Sequence, residues 1–440
     1  MSFPRYEKYK DSGVEWLGEM PEEWEVGKFR HHFSESPEKI DNIVVGEMLS
    51  VSGYRGIEVK QYDDENQKRS DEDLVGYRIV RPGQLVVNTM WLNYAGLGVS
   101  AFEGHVSPAY RSYWITSDLD KRYVHHLMRS GLYVKGYTKF LTGIRPNSLQ
   151  MSRDDLMAFP IVLPPLPEQH TIAAFLDHET GKIDALVAEQ EKLIGLLKEK
   201  RQAVISHAVT KGLDPNARMK DSGVEWLGEV PEGWEVKRLR FIVRLNPSKS
   251  ELSEADRDTE VSFLPMEAVG EDGSLQLDRL RPLRDVEAGY TYFRDGDVTI
   301  AKITPCFENG KGAVMTGLTG QIGFGTTELI VARPRMEVIS SEYLHRLFTS
   351  TFFRKLGEAA MYGAGGQKRV PDDFVRNFTV ALPPLTEQMA IEEYLREVAS
   401  RFDTLIEEAQ KAIELMKERR TALISAAVTG KIDVRGYCPA

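Results

Sequence analysis

The chain has 440 residues, 42% of them hydrophobic, enough for more than one packed core and too many for a disordered chain. A net charge of −10 with 28% charged residues excludes a protein that coats nucleic acid by charge alone, although a local stripe of Lys and Arg is sufficient for phosphate contacts. Two distant cysteines, Cys306 and Cys438, make neither a zinc cluster nor a disulfide framework and suit a reducing, cytoplasmic setting.

The first ten residues, MSFPRYEKYK, have no apolar signal region, and no apolar run reaches spanning length, so no membrane is expected. Lys10–Val26 reads KDSGVEWLGEMPEEWEV and returns at Lys220–Val236 as KDSGVEWLGEVPEGWEV, agreeing at 15 of 17 positions. Each copy opens a variable stretch, about 27–162 and 237–381, with period-two apolar runs between Gly, Pro, Asn and Asp. In the first, Gly76–Val80 leads to Pro82–Asn88, then Ala109–Thr116, with a helix near Lys121–Ser130. In the second, Tyr292–Arg294 leads to Gly296–Lys302, then Thr327–Ala332, with a helix near Ser341–Phe353. Each variable stretch reads as α+β.

A second repeat follows. LPPLPEQHTIAAFLD from Leu163 and LPPLTEQMAIEEYLR from Leu382 each open a helix of about 40 residues, or about 60 Å, behind a Pro pair. Ile172, Leu176, Ile183, Leu186, Leu193, Leu197, Val204 and Ala208 in one helix follow a seven-residue pattern. So do Ile391, Leu395, Val398, Phe402, Leu405, Ala409, Ala412, Met416, Leu423 and Ala427 in the other, which reads as a coiled-coil seam. The basic runs Lys198–Arg201 and Lys417–Arg420 read as solvated faces. The linker Gly212–Lys220 matches the C-terminal tail from Lys431 joined to Met1–Tyr9, which predicts pseudo-twofold symmetry with the chain ends close together. The expected organisation is a signature and variable domain over 1–162, a long helix over 163–213, a second signature and domain over 214–381, and a second helix and tail over 382–440.

No catalytic motif is complete. Asn246-Pro247-Ser248-Lys249 is not an amino-methylation motif, and Gly310-Lys311-Gly312 fails as a phosphate loop. Ile322–Gly325 lacks a following helix, Glu58-Val59-Lys60 lacks a partner acid, and the pairs His31-His32 and His125-His126 do not suit joint ligation. No catalytic residue and no metal ligand is therefore expected. The loops instead gather side chains able to read base edges and meet phosphates. In the first half these are Asn88, Asn93, Tyr94, Ser107, Tyr110, Arg111, Lys139, Arg145 and Asn147. In the second they are Lys302, Thr304, Asn309, Lys311, Thr326, Thr327, Gln367, Lys368 and Arg369.

The doubled DSGVEWLGE-x-P-x-x-W signature, the LPPL-x-EQ-x-x-I helix openings and the AVT helix ends resemble the specificity subunit of type I restriction-modification systems over essentially the whole chain. Lys302–Lys311 (KITPCFENGK) also looks like the family's target-recognition domains. The resemblance implies two α/β target-recognition domains separated by two long antiparallel coiled-coil helices. Each domain would read one half of a split site in double-stranded DNA. The helices would space the halves and bind two methyltransferase subunits, which use S-adenosylmethionine. A restriction subunit with ATP and Mg would complete an endonuclease, and this chain would carry no cofactor. The alternative is a stand-alone DNA-binding or scaffold protein, which the duplication fits and the signatures do not.

Overall fold

The computed structural model describes residues 3–62, 69–143, 149–363 and 366–437. The chain divides into two compact units, Met1–Glu191 with Gln410–Ala440, and Lys192–Ala409. The long helices run Leu166–Lys211 and Leu385–Val428, and each contributes one part to each unit.

Each unit begins with the signature, folded as a small hairpin. Tyr9–Asp11 pairs with Glu19–Pro21, and Met219–Asp221 with Glu229–Pro231. The repeated Asp-Ser-Gly is a turn with a local reason. Asp11 and Asp221 accept the backbone N–H of Gly13 and Gly223 at 2.9 and 3.0 Å, and both glycines have positive φ. The signature tryptophans Trp24 and Trp234 are fully buried against Gly430 and Gly212, the left-handed glycines that end the long helices. Strand Glu25–Lys28 then pairs with Pro160–Leu163, and Glu235–Arg238 with Thr379–Leu382, so each variable domain is inserted between two paired strands of constant sequence.

The inserted domains share one topology. In unit 1 one sheet runs in the order Phe33–Glu35, Tyr110–Ile115, Leu85–Asn88, Leu97–Val99, all antiparallel. The matching sheet of unit 2 is Val243–Leu245, Leu329–Pro334, Val298–Ala301, Gly312–Val314. Each unit has a second four-stranded sheet with one parallel pair, Glu47–Ser52 beside Gly104–Val106 and Glu260–Leu264 beside Ile322–Gly325. The helix expected near Ser341–Phe353 is two helices, Ser341–Thr349 and Thr351–Ala360. Ser350 is extended, and its hydroxyl caps the second helix by accepting the N–H of Phe353. Ser130 divides Lys121–Arg129 from Gly131–Thr138 in the same way.

Buried polar contacts dock each domain on the long helices. Tyr123 donates its hydroxyl to Val162 O at 3.1 Å and approaches Val428 O at 3.4 Å. Tyr343 does the same with Val209 O at 3.2 Å and Ala381 O at 3.4 Å. Val428 and Val209 lie in last helical turns, whose carbonyls have no partner inside the helix. The Gln of each EQ pair completes the joint. Gln169 donates to Pro164 O and accepts the N–H of the helix cap Asp120, both at 2.9 Å. Gln388 donates to Pro383 O at 2.9 Å and accepts the N–H of the cap Ser340 at 3.0 Å.

The helices pair within each unit. The expected seam is buried at Ile172, Leu176, Ile183 and Ala208 and at Ile391, Leu395, Ala409, Leu423 and Ala427, but the helix middles depart from it. Ile172, Ile183, Ile194 and Ile205 face inward, as do Ile391, Phe402, Ile413 and Ile424, each set eleven residues apart. Leu186, Leu193 and Leu405, expected on the seam, are 49%, 42% and 47% exposed. An eleven-residue repeat has 3.67 residues per turn, close to the helix's own 3.6, so the apolar stripe keeps to one face where a strict heptad would drift. The basic runs also differ from the solvated faces expected. Arg420 bonds Asp184 at 2.9 Å within unit 1, and Arg201 bonds Asp403 at 2.7 Å within unit 2. These are equivalent pairs in the repeat, each joining the two long helices.

The described ends of the chain meet. Asp433 N–H donates to Pro4 O at 2.8 Å, and the Phe175 ring lies 5.3 Å from both Phe3 and Tyr437. The tail and the N-terminus together thus form the counterpart of the internal linker. Tyr123→Phe removes a buried donor from two carbonyls and is expected to cost about 1–3 kcal/mol, read as a lower urea midpoint. Leu415→Ala, at an exposed helical site, should stay within about 0.5 kcal/mol of the parent.

Candidate nucleic-acid interface

In each unit three loops converge at one end of the antiparallel sheet. In unit 1 the first leaves strand Leu85–Asn88, and the second enters strand Tyr110–Ile115, where Tyr110 lies opposite Asn88. The third follows helix Gly131–Thr138 and returns through Gln150, whose side chain donates to the Thr89 hydroxyl at 3.2 Å, while Met151 N–H meets Thr89 O at 3.3 Å. Asn88 is buried, and its side-chain oxygen accepts the N–H of Met90 at 3.2 Å. Asn93 and Tyr94 sit on the turn Leu92–Tyr94, where the Asn93 side-chain oxygen is buried without a partner. Tyr94 and Trp91 are 64% and 56% exposed with their rings 5.9 Å apart, a pair of aromatic faces open to solvent. Ser107 lies in the second loop, its carbonyl accepting the N–H of Tyr110 at 3.0 Å.

Unit 2 builds the same three loops from different side chains. Lys302 leaves strand Val298–Ala301, its N–H donating to Glu328 O and its carbonyl accepting Val370 N–H, both at 2.8 Å. Val370 to Lys302 repeats the Met151 to Thr89 bond of unit 1. Thr304 N–H meets Lys368 O at 3.1 Å, and Arg369 forks onto Glu328 at 2.7 and 3.0 Å. Hydrogen bonds from Arg369 hold the Glu328 carboxyl below its ordinary range, aided by the charge of Lys302. Thr326 caps this turn by accepting Glu328 N–H at 3.2 Å, and Thr327 is exposed beside it. Gln367 and Lys368 project from the third loop, with Tyr362 exposed across from Arg369.

Other expected residues lie elsewhere. Arg111 turns to Glu35 at 3.6 Å, which Arg78 and Arg153 also approach at 3.4 and 3.2 Å. Lys139 reaches Glu15 of the signature at 3.3 Å. Asn309 donates to Glu271 at 2.8 Å and Lys311 to Met266 O at 3.0 Å, away from Arg369. Arg145 and Asn147 lie outside the described residues. Sequence reasoning missed Thr89, Gln150 and Glu328 because their role is to fasten one loop to another, which neither composition nor spacing reports.

No family model matches the chain. It is 42% identical over 188 residues to the type I restriction enzyme EcoAI specificity subunit of Escherichia coli, covering 42% of this chain and 31% of that one. It is 42% identical over 165 residues to the EcoEI specificity subunit of the same organism, covering 37% and 27%. These matches thus span about a third or less of those relatives' length. Similarity to the putative MjaX specificity subunit of Methanocaldococcus jannaschii extends over 99% of both chains at 23% identity. The fold is that of a solved chain from work on complex assembly and conformational transition of the type I R-M system, with TM-score 0.65, 16% identity, and coverage of 93% of this chain and 98% of that one. The chain is similar to type I restriction enzyme specificity subunits. The doubled organisation expected from the sequence is what the two units display.

A hairpin of each domain leans on a buried histidine. Gly56 and Gly273, with φ of +92° and +88°, pass so close that an added Cβ would stand 2.7 Å from His125 and 3.0 Å from His345. His125 Nδ1 accepts Val99 N–H at 3.3 Å, and His345 Nε2 donates to Gly312 O at 3.2 Å. Beside the first hairpin, Tyr54 donates to Asp184 at 2.6 Å and its ring lies 4.6 Å from the Arg420 guanidinium. His125 and His126, read by sequence as a pair pointing apart, occupy one helix, where His126 meets Asp177 at 2.8 Å.

Burial pushes His125 down to about 3 and His345 down to about 4. An unfolded imidazole titrates near 6.5, so below that pH the unfolded chain binds more protons. Stability is complete above about pH 6.5 and should fall as pH drops toward the folded values, by at most about 1.4 kcal/mol per pH unit per histidine. Urea midpoints between pH 7 and pH 5 should show this fall, and His125→Gln/His345→Gln should flatten it. An equally steep fall in that variant would refute the assignment.

Proposed function

We propose that this chain is the DNA sequence-specificity subunit of a cytoplasmic type I restriction-modification complex. Each recognition domain reads one half of a bipartite DNA site, and the long helices space the halves and dock two methyltransferase subunits. Those subunits bring S-adenosylmethionine, and restriction subunits bring ATP and Mg for translocation and cleavage. The chain itself contributes recognition and no catalytic group.

The observation that carries this reading is the pair of three-loop clusters. The same framework bonds, Met151 to Thr89 and Val370 to Lys302, support unrelated side chains in the two units. Trp91 and Tyr94 offer stacking faces in one, while Lys302, Gln367, Lys368 and Arg369 offer donors in the other. A constant support with a divergent reading edge is what two different half-sites require.

Genome-wide adenine methylation in cells carrying this chain and its co-encoded methyltransferase tests the reading. The expected outcome is a split motif with a fixed gap. Exchange of residues 27–159 or 236–378 for those of another specificity subunit should change one half of the motif only. Methylation indifferent to this chain would leave a stand-alone DNA-binding or scaffold protein as the better account.

A further inference from the structure

Unit 2 carries a concentration of arginines that its loop cluster does not use. Arg240, Arg244, Arg333, Arg335 and Arg376 line an open pocket of about 470 Å³. They converge from the turn Leu239–Phe241, the strand Val243–Leu245, the far end of strand Leu329–Pro334 and the short helix Asp372–Asn377. Arg333 is fully engaged. It forks onto Asp297 at 2.7 and 2.8 Å and bonds Glu251 at 2.6 and 2.7 Å. Arg244 approaches Glu251 at 3.4 Å, and Arg240 donates to Asn377 at 3.1 Å while standing over the exposed Phe241 ring. Arg335 and Arg376 are exposed and make no ion pair among the described residues. Asp372, on the same short helix as Arg376, is occupied by Asn246 at 2.9 Å.

Five guanidiniums against the carboxylates of Glu251 and Asp297 leave an excess of positive charge, in a chain whose net charge is −10. Holding like charges together costs free energy that a bound anion recovers. Guanidinium pairs suit phosphate oxygens in particular, through parallel N–H donors.

Unit 1 indicates which anion. Thr116 N–H to His32 O at 3.1 Å matches Arg335 N–H to Ile242 O at 3.0 Å, and the strand pair Phe33–Ile115 matches Val243–Pro334. By this register the five arginines correspond to Arg30, Ser34, Trp114, Thr116 and Met157. A partner protein that docks alike on both units would need the patch twice. The patch's presence in unit 2 alone sets it apart from a docking face that the two units share, and closely placed guanidiniums fit the regularly spaced phosphates of a DNA backbone.

We infer that this pocket binds DNA backbone phosphates, as a sequence-independent anchor of unit 2 separate from its base-reading loops. The inference rests on the reading of the chain as a DNA-specificity subunit. Leu329, at the loop end of the strand, and Pro334, at the pocket, are five residues or about 17 Å apart. That is less than one turn of B-form DNA, about 34 Å.

Salt-dependent binding of the full-length chain, with its partner subunits, to two labelled duplexes of unrelated sequence tests the site. Arg335→Gln/Arg376→Gln should weaken both duplexes by the same factor, severalfold or more. The slope of log K against log salt should become shallower by about 0.9 for each phosphate that the variant no longer neutralises. Arg279→Gln/Arg284→Gln, an equal charge change in unit 2 outside the pocket, the loop cluster and the long helices, should leave the slope as in the parent. A parental slope in the pocket variant, or an equal loss in the control, overturns the site and leaves the proposed function standing. Loss of a partner protein with an unchanged DNA slope overturns it too, assigning the pocket to an acidic protein surface. A parent that binds neither duplex overturns both readings.

Discussion

The structure depends on how a helix end is finished. The last carbonyls of a long helix have no partner within it, and burying them unpaired would be costly. Here a fully buried tyrosine hydroxyl from each variable domain answers that need, Tyr123 toward Val428 and Tyr343 toward Val209. The same hydroxyl bonds the strand that closes the domain, through Val162 in one unit and Ala381 in the other. One donor therefore ties a variable domain to both constant elements beside it, and burial raises its pKa so that it remains a donor at any working pH.

This arrangement explains why some segments repeat almost without change while others diverge. The signature turn, the tryptophan against the terminal glycine, and the glutamine that grips both a proline carbonyl and a helix cap are each determined on several sides. Changing any one leaves a buried polar group or a void. The loops at the end of each sheet are held by only a few backbone bonds, so their side chains are free to differ. Trp91 and Tyr94 occupy one unit where lysines and an arginine occupy the other.

Electrostatics follows the same division. Arg201 and Arg420 join the long helices in equivalent ion pairs, whereas Glu35 and Glu251 each gather several arginines inside a variable domain. The excess of arginine at the far end of one sheet belongs to unit 2 alone. The acidic total charge conceals it, because a sum over 440 residues carries no information about place.

The duplication, the order of signature, domain and helix, and the length of both long helices were legible in the sequence. They rest on local chemistry: a turn that needs glycine, a cap that needs serine or aspartate, and a stripe that repeats along a helix. Other features required the tertiary structure. The inward register of the first long helix follows Ile194 and Ile205 rather than Leu186 and Leu193, because all four are apolar and only packing selects among them. The role of Glu328 as the acceptor for Arg369, and the turning of Arg111 toward Glu35, depend on pairings between residues 41 or more positions apart. Sequence determines what a side chain can do, and the fold determines which of its possible partners comes within reach.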